Sequence, residues 1–174
     1  MKVLALDLGT TTGWAFHDGQ SDSAGSRVLV SEKNLRYARK LRMDRRCDPR
    51  ATALYFLLKQ FDKPDYIIFE DVRFGKSLAQ VQIWSSLRGV IWAFSIIHGI
   101  QVECLDTGKL KKFATGNGGA DKPLMARSLC KLDPDVYTPH PSGGVLYTPT
   151  GEILDDNAVD ALHLLRWGKQ HLSR

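Results

Sequence analysis

Two short apolar runs, Val3 to Leu6 and Tyr66 to Phe69, limit what this chain can fold into, because each closes on a carboxylate, Asp7 and Glu70. Runs this short and this rich in aliphatic and β-branched residues read as buried strands. After the first, Gly9-Thr10-Thr11-Thr12-Gly13 reads as a turn and Trp14-Ala15-Phe16 as the returning strand of a hairpin. Asp7 therefore stands near a bend. Val28 to Val30 is a candidate third strand, and Val102 to Leu105 a further short one.

Helical patterns alternate with these strands. Ala53, Leu54, Leu57, Leu58 and Phe61 have helical spacing within Ala51 to Phe61, which Pro64-Asp65 ends. Leu78 to His98 predicts a long helix. Its Gly89 costs roughly 1 kcal/mol relative to Ala, which implies a close packing contact there. Leu110 to Ala114 predicts a short helix, and Asp121 a cap for a helix from Lys122 to Leu132. Tyr137 to Leu154, with three prolines and three glycines, reads as a loop or loose hairpin before a last helix from Asp156 to His171. Alternating elements after an opening hairpin predict an α/β fold, a mixed sheet with helices on both faces.

The 174 residues fit one domain over 1–174, and 43% hydrophobic content is enough for an ordinary core. A net charge of +5 makes a polyanionic partner plausible without specifying one. Cys47, Cys104 and Cys130 are odd in number and widely spaced, so neither a disulfide framework nor a zinc ribbon can be drawn from them. The charged opening strand does not read as a signal peptide, and the longest apolar stretch, Gly89 to Ile97, is too short to span a bilayer. The expected setting is a reducing cytoplasm, with no membrane contact.

The chemistry lies in the acids. Asp7 and Glu70 sit at strand ends, where ligands collect in open α/β sheets. Asp156 and Asp160 are four apart and share one face of the last helix. Like charges so placed repel, and a divalent cation removes that penalty. Mg²⁺ or Mn²⁺ suits carboxylate oxygens, and two such ions ~4 Å apart can serve phosphodiester hydrolysis. Asp71 and Asp155 adjoin these acids and read as supporting or exposed residues. His163, one turn past Asp160, either faces the same site or is a buried helix histidine.

These segments, in this order, resemble the RuvC-like Holliday junction resolvases of the RNase H-like superfamily. Leu4 to Ala15 is similar to the family's first strand and hairpin with its first catalytic Asp, and Ile67-Ile68-Phe69-Glu70 to the strand carrying its Glu. Ser86 to Val90 resembles the Arg-Gly step of its central helix. The most specific match is Leu110 to Lys122, which opens on lysines, turns through paired glycines and closes on Asp121-Lys122. Asp156 to Leu162 resembles the closing helix. The spacing Asp156-Asn157-x-x-Asp160-Ala161 follows the phage-type pattern, because the bacterial enzymes place these acids three apart. The longer segment between Leu132 and Asp156 departs from the family.

The resemblance implies an RNase H-like fold and metal-dependent cutting of branched DNA by a homodimer, with Asp7, Glu70, Asp156 and Asp160 holding metal. Lys122 near the scissile phosphate would stabilise developing charge. Lys109, Lys111 and Lys112 are DNA-binding candidates, and backbone N–H groups of the glycine turn could cradle a phosphate. Arg73 and Lys76, after Glu70, are placed to touch DNA, with Phe74 read as a wedge or as a buried loop aromatic. The basic run Arg36, Arg39, Lys40, Arg42, Arg45, Arg46 and Arg50 serves either phosphates or solvent. Trp84 and Trp92 read as core or dimer contacts.

Three rival readings stand beside this one. The opening Asp7 to Gly13 also resembles the phosphate loop of actin-like ATPases and sugar kinases, which need a second lobe that this chain lacks room for. An RNA-processing nuclease of the same fold, such as the YqgF-type, shares the opening but not the Leu110 to Lys122 segment. A silent DNA-binding module gains nothing from acids facing phosphates.

Overall fold

The computed structural model describes residues 1–40, 48–72 and 77–172. Arg42, Arg45, Arg46 and Cys47, and likewise Arg73, Phe74 and Lys76, lie outside the described residues. Five strands form the main sheet: β1 (Val3–Asp7), β2 (Thr11–His17), β3 (Asp22–Val28), β4 (Tyr66–Asp71) and β5 (Gln101–Asp106). Their order is β3-β2-β1-β4-β5, with β1 antiparallel to β2 and parallel to β4. The helices are α1 (Glu32–Lys40), α2 (Pro49–Leu58), α3 (Leu78–His98), α4 (Thr107–Thr115), α5 (Lys122–Leu132) and α6 (Asp156–His171).

The period of two along a strand divides the core. Val3 and Ala5 of β1 and Ile68 of β4 pack under α4, α5 and α6. Leu4, Leu6, Ile67 and Phe69 point the other way and pack under α2 and α3. The sheet is thus covered on both faces, and the central strands β1 and β4 are apolar up to their terminal acids, whereas the edge strand β5 is largely exposed. By the same parity, Asp7 and Glu70 turn toward the α6 side.

Helix ends follow local chemistry. Asp48, Ser77, Asp106, Asp121 and Asp155 each accept from backbone N–H groups in the first turn of the helix they precede. The predicted Ala51 to Phe61 helix begins earlier, at Pro49, because Asp48 caps it and Pro suits the first turn. Arg50 pairs with that same Asp48 at 2.6 Å, which commits one basic residue to a cap. Arg36, Arg39 and Lys40 are exposed on α1.

Three expectations are corrected and a fourth, the loop or loose hairpin from Tyr137 to Leu154, is refined. The third strand is Asp22–Val28, not Val28 to Val30: a polar edge strand held to β2 by a seven-residue ladder carries no apolar alternation to reveal it. The turn before β2 is shorter than predicted, and Gly13 lies inside the strand, paired with Asp7. Among the described residues a Cβ at Gly89 would meet nothing within 4 Å, so the expected packing contact is not found there. The segment from Tyr137 to Leu154 holds a small antiparallel sheet of three two-residue strands, β6 (Thr138–Pro139), β7 (Leu146–Tyr147) and β8 (Ile153–Leu154). Leu146 and Leu154 anchor that sheet in the core. Among the described residues no helix is long and apolar enough to cross a membrane.

Candidate metal centre at the strand ends

Parallel pairing sets Leu6 beside Phe69, so Asp7 and Glu70 leave neighbouring strands at one level. α6 crosses the same end of the sheet and brings Asp160 to them. Ligand oxygens of Asp7, Glu70 and Asp160 all lie within 4.8 Å of one another. Glu70 is buried and the other two are half-buried.

The site resists its own charge. Burial, then the charges of Glu70 and Asp160, push the Asp7 carboxyl well above the usual carboxylate range, and Asp7 shares a hydrogen bond with Glu70. Asp160 is pushed up to about 7 by burial and by Glu70 and Asp156, against smaller lowering by Lys111 and Lys122. Three hard oxygen donors this close together, with the charged forms of Asp7 and Asp160 disfavoured, form a donor set suited to a divalent cation such as Mg²⁺ or Mn²⁺.

Asp156 stands beside this trio and not within it. Its carboxylate is paired with the Lys122 ammonium from the start of α5. Its charge still raises both Asp7 and Asp160. Lys111 is half-buried and close enough to act on Asp160, whereas Lys109 and Lys112 are exposed on the same helix. The glycine turn binds part of its own backbone: Gly119 N–H donates to Asn117 Oδ1 at 2.9 Å and Ala120 N–H to Asn117 O at 3.1 Å. Those two groups are already engaged.

Two supporting residues are legible only in three dimensions. Trp84 and Arg88, one turn apart on α3, bind the residues that follow two of the acids. Trp84 Nε1 donates to Leu8 O at 3.1 Å, and Arg88 Nη1 donates to Asp71 Oδ1 at 2.8 Å. One helix thereby fixes both strand exits. Asp155 caps α6 through Ala158 N–H at 3.0 Å and accepts from Ser26 Oγ of β3 at 2.7 Å, tying the helix start to the sheet edge. Asp71 and Asp155 are therefore supports.

His163 is fully buried and faces α5 instead of the acids. Its Nε2 lies 3.0 Å from Met125 O, and Arg166 Nη1 lies 3.4 Å from its Nδ1. The neutral ring with hydrogen on Nε2 satisfies both contacts. A second proton on Nδ1 would face a guanidinium in a dry site, and burial holds the pKa down at about 4. The unfolded chain then binds the extra proton more readily, so this contribution to stability is full above the unfolded value of 6.5 and is lost as pH falls toward 4. The expected loss from His163 alone between pH 7 and 4.5 is about 2–3 kcal/mol, read as the difference between wild type and variant because Asp160 changes in the opposite direction. His163→Gln keeps an N–H donor for Met125 O and should lack this acid-side loss in denaturant titrations at the two pH values. Equal losses in both proteins would remove His163 as the cause.

The order β3-β2-β1-β4-β5, with mixed strand direction and helices on both faces, is an α/β fold of RNase H-like type. No protein-family model matches the chain, and no curated protein sequence matches it. Solved structures do. The chain is similar to Thermus thermophilus RuvC at TM-score 0.57 and 17% identity, over 98% of this chain and 96% of that one. It is similar to T. thermophilus RuvC in complex with Holliday junction substrate at TM-score 0.60 and 16% identity, covering 94% and 90%. The yeast mitochondrial Holliday junction resolvase Ydc2 gives TM-score 0.54 and 12% identity, covering 97% and 79%. The likeness spans nearly the whole chain and establishes the shared fold.

Proposed function

We propose that this chain is a metal-dependent endonuclease that hydrolyses phosphodiesters in branched DNA, four-way junctions foremost, as a phage-type relative of the resolvases. The convergence of Asp7, Glu70 and Asp160 carries the reading: three carboxylates from three elements meet at one point, and burial penalises the charge of Asp7 and Asp160 there. Asp156 is the fourth acid, supplied once Lys122 turns to a phosphate. Bound Mg²⁺ or Mn²⁺, two ions per site, would supply charge neutralisation at the scissile phosphate and make the attacking water more acidic. The chain's own part is to hold the acids at fixed spacing through Trp84, Arg88 and the Asp155 cap. Lys111 and Lys122 add positive charge beside them, and Lys109 and Lys112 meet the backbone further out, with Arg42, Arg45, Arg73 and Lys76 as sequence-based contacts.

A homodimer suits a two-fold junction, and the outer face of α3 supports one. Gly89, Trp92 and Ile96 follow at helical spacing, with Trp92 51% and Ile96 83% exposed. Open space at Gly89 leaves room for a neighbouring helix to approach. The proposed setting is the cytoplasm of a bacterial or phage-infected cell.

The test uses labelled four-way junction, flap, duplex and RNA–DNA hybrid, each with Mg²⁺, Mn²⁺ or chelator. Paired, metal-dependent nicks in the junction are expected. Asp7→Asn should cut on the order of a hundredfold slower or worse while still binding it, since even groups supporting a metal ligand are worth 10–100-fold. Preferred cutting of the hybrid would favour an RNA-processing nuclease. ATP turnover without any cleavage would favour the phosphotransferase.

A further inference from the structure

We propose that Trp84 is a stacking platform for a nucleobase flanking the scissile phosphate, an inference that rests on the nuclease reading. A cleft of about 580 Å³ opens at the strand ends. Asp7, Asp156 and Lys122 line it, and the first turns of α3 contribute Gln80, Ile83 and Trp84. The acids and the lysine account for a phosphate. They do not account for an indole in the same cleft.

Trp84 is not a core residue. It belongs to neither apolar cluster, whereas its neighbour Ile83 packs against the α2–α3 side. Its polar edge is already satisfied by the bond to Leu8 O, which also fixes the ring. A ring held in place loses little freedom when a ligand stacks on it. Nucleobases are the flat apolar surface that accompanies a phosphodiester, and every base offers a π-face whatever its identity. A branch point supplies bases whose stacking is broken, so delivering one to the cleft costs less than it would in a continuous duplex. Gln80, one turn before Trp84, lines the same cleft.

The experiment separates stacking from mere support of Leu8. Junctions carry an abasic nucleoside at each position flanking the mapped cleavage site, and kcat/KM is measured for the wild type, Trp84→Phe and Trp84→Ala. One position should cost the wild type roughly tenfold to a hundredfold, the size of one base–aromatic stack. The same abasic substitution should cost Trp84→Ala nothing, because the platform is already gone. Trp84→Phe keeps a ring without the Leu8 bond and should retain most of the abasic penalty. If Trp84→Ala does not fold, Trp84→Leu replaces it, keeping bulk without a π-face. An equal abasic penalty in the wild type and the ring-less variant, or none in the wild type, overturns the platform while leaving the nuclease intact. A wild type that cuts no branched DNA removes both proposals together.

Discussion

Asp160→Asn is expected to make the metal-free protein more stable at pH 8 and to abolish cleavage. Asp160 titrates at about 7 in the folded chain against an ordinary 3.8, because it is buried against Glu70 and Asp156. A carboxyl raised in this way stabilises the fold fully below its unfolded value, and that contribution is lost as pH rises through the folded value. Above pH 7 the charged group then costs up to about 4 kcal/mol, and the amide avoids that cost. Asp7 benefits as well, since the Asp160 charge is one of the forces raising it. For a chain of this size the gain corresponds to a melting temperature higher by roughly 5–10 °C at pH 8, shrinking toward zero by pH 4. Added Mg²⁺ should raise the wild-type melting temperature and leave that of Asp160→Asn nearly unchanged, because the cation does for the wild type what the amide does for the variant. Stability given up at a site for the sake of its chemistry is the usual exchange in enzymes. An Asp160→Asn protein no more stable than the wild type at pH 8 would show that the acids are not held in mutual repulsion.

How much of this was legible in the sequence depends on whether a signal is local. Asp7 and Glu70 were readable because each follows an apolar strand, and strand parity then sends both to one face. Asp156 and Asp160 were readable as a helical pair. Their division of labour was not, because it depends on Lys122 arriving from a different helix. Asp121 as the cap of α5 was visible in its residue type alone, and the bounds of α3, α5 and α6 follow from periodicity and caps. β3 escaped because edge strands are held by backbone bonds and its side chains carry no alternation. Trp84 and Arg88 looked like core and family residues, since nothing in a one-dimensional pattern shows that α3 passes over Leu8 and Asp71. His163 left two readings open, and the position of α5 decides between them.

Gly13 is the sharpest case of a residue whose reason lies in another element, and Gly13→Ala should lower cleavage on the order of a hundredfold. Read as a turn glycine, it sits within β2 opposite Asp7 without a left-handed backbone. A Cβ there would lie 2.0 Å from Asn157 O and 2.3 Å from Asn157 C. Both are backbone atoms in the first turn of α6, between Asp156 and Asp160, and no rotamer change relieves the overlap. Carbon contacts settle near 3.5–4 Å, so the helix start must retreat by about 1–1.5 Å. Ser26 and the Asp155 cap hold that start to β3, so the movement strains those bonds as well. Misplacement of about 1 Å can cost 10²-fold in rate, and Asp160 would move away from Asp7 and Glu70. Gly168→Ala supplies the contrast on the same helix. Its Cβ would meet Ile68 Cδ1 at 2.1 Å, the free end of a side chain that can rotate away. Gly168→Ala should therefore lose stability, about 1–3 kcal/mol for an overpacked core, yet keep most of its cleavage rate and its affinity for Mn²⁺. Gly13→Ala should lose both beyond what its stability explains. Parallel measurement of melting, Mn²⁺ affinity and junction cleavage in the two variants decides the matter: if Gly13→Ala loses activity only in proportion to unfolding, the α6 approach serves packing alone.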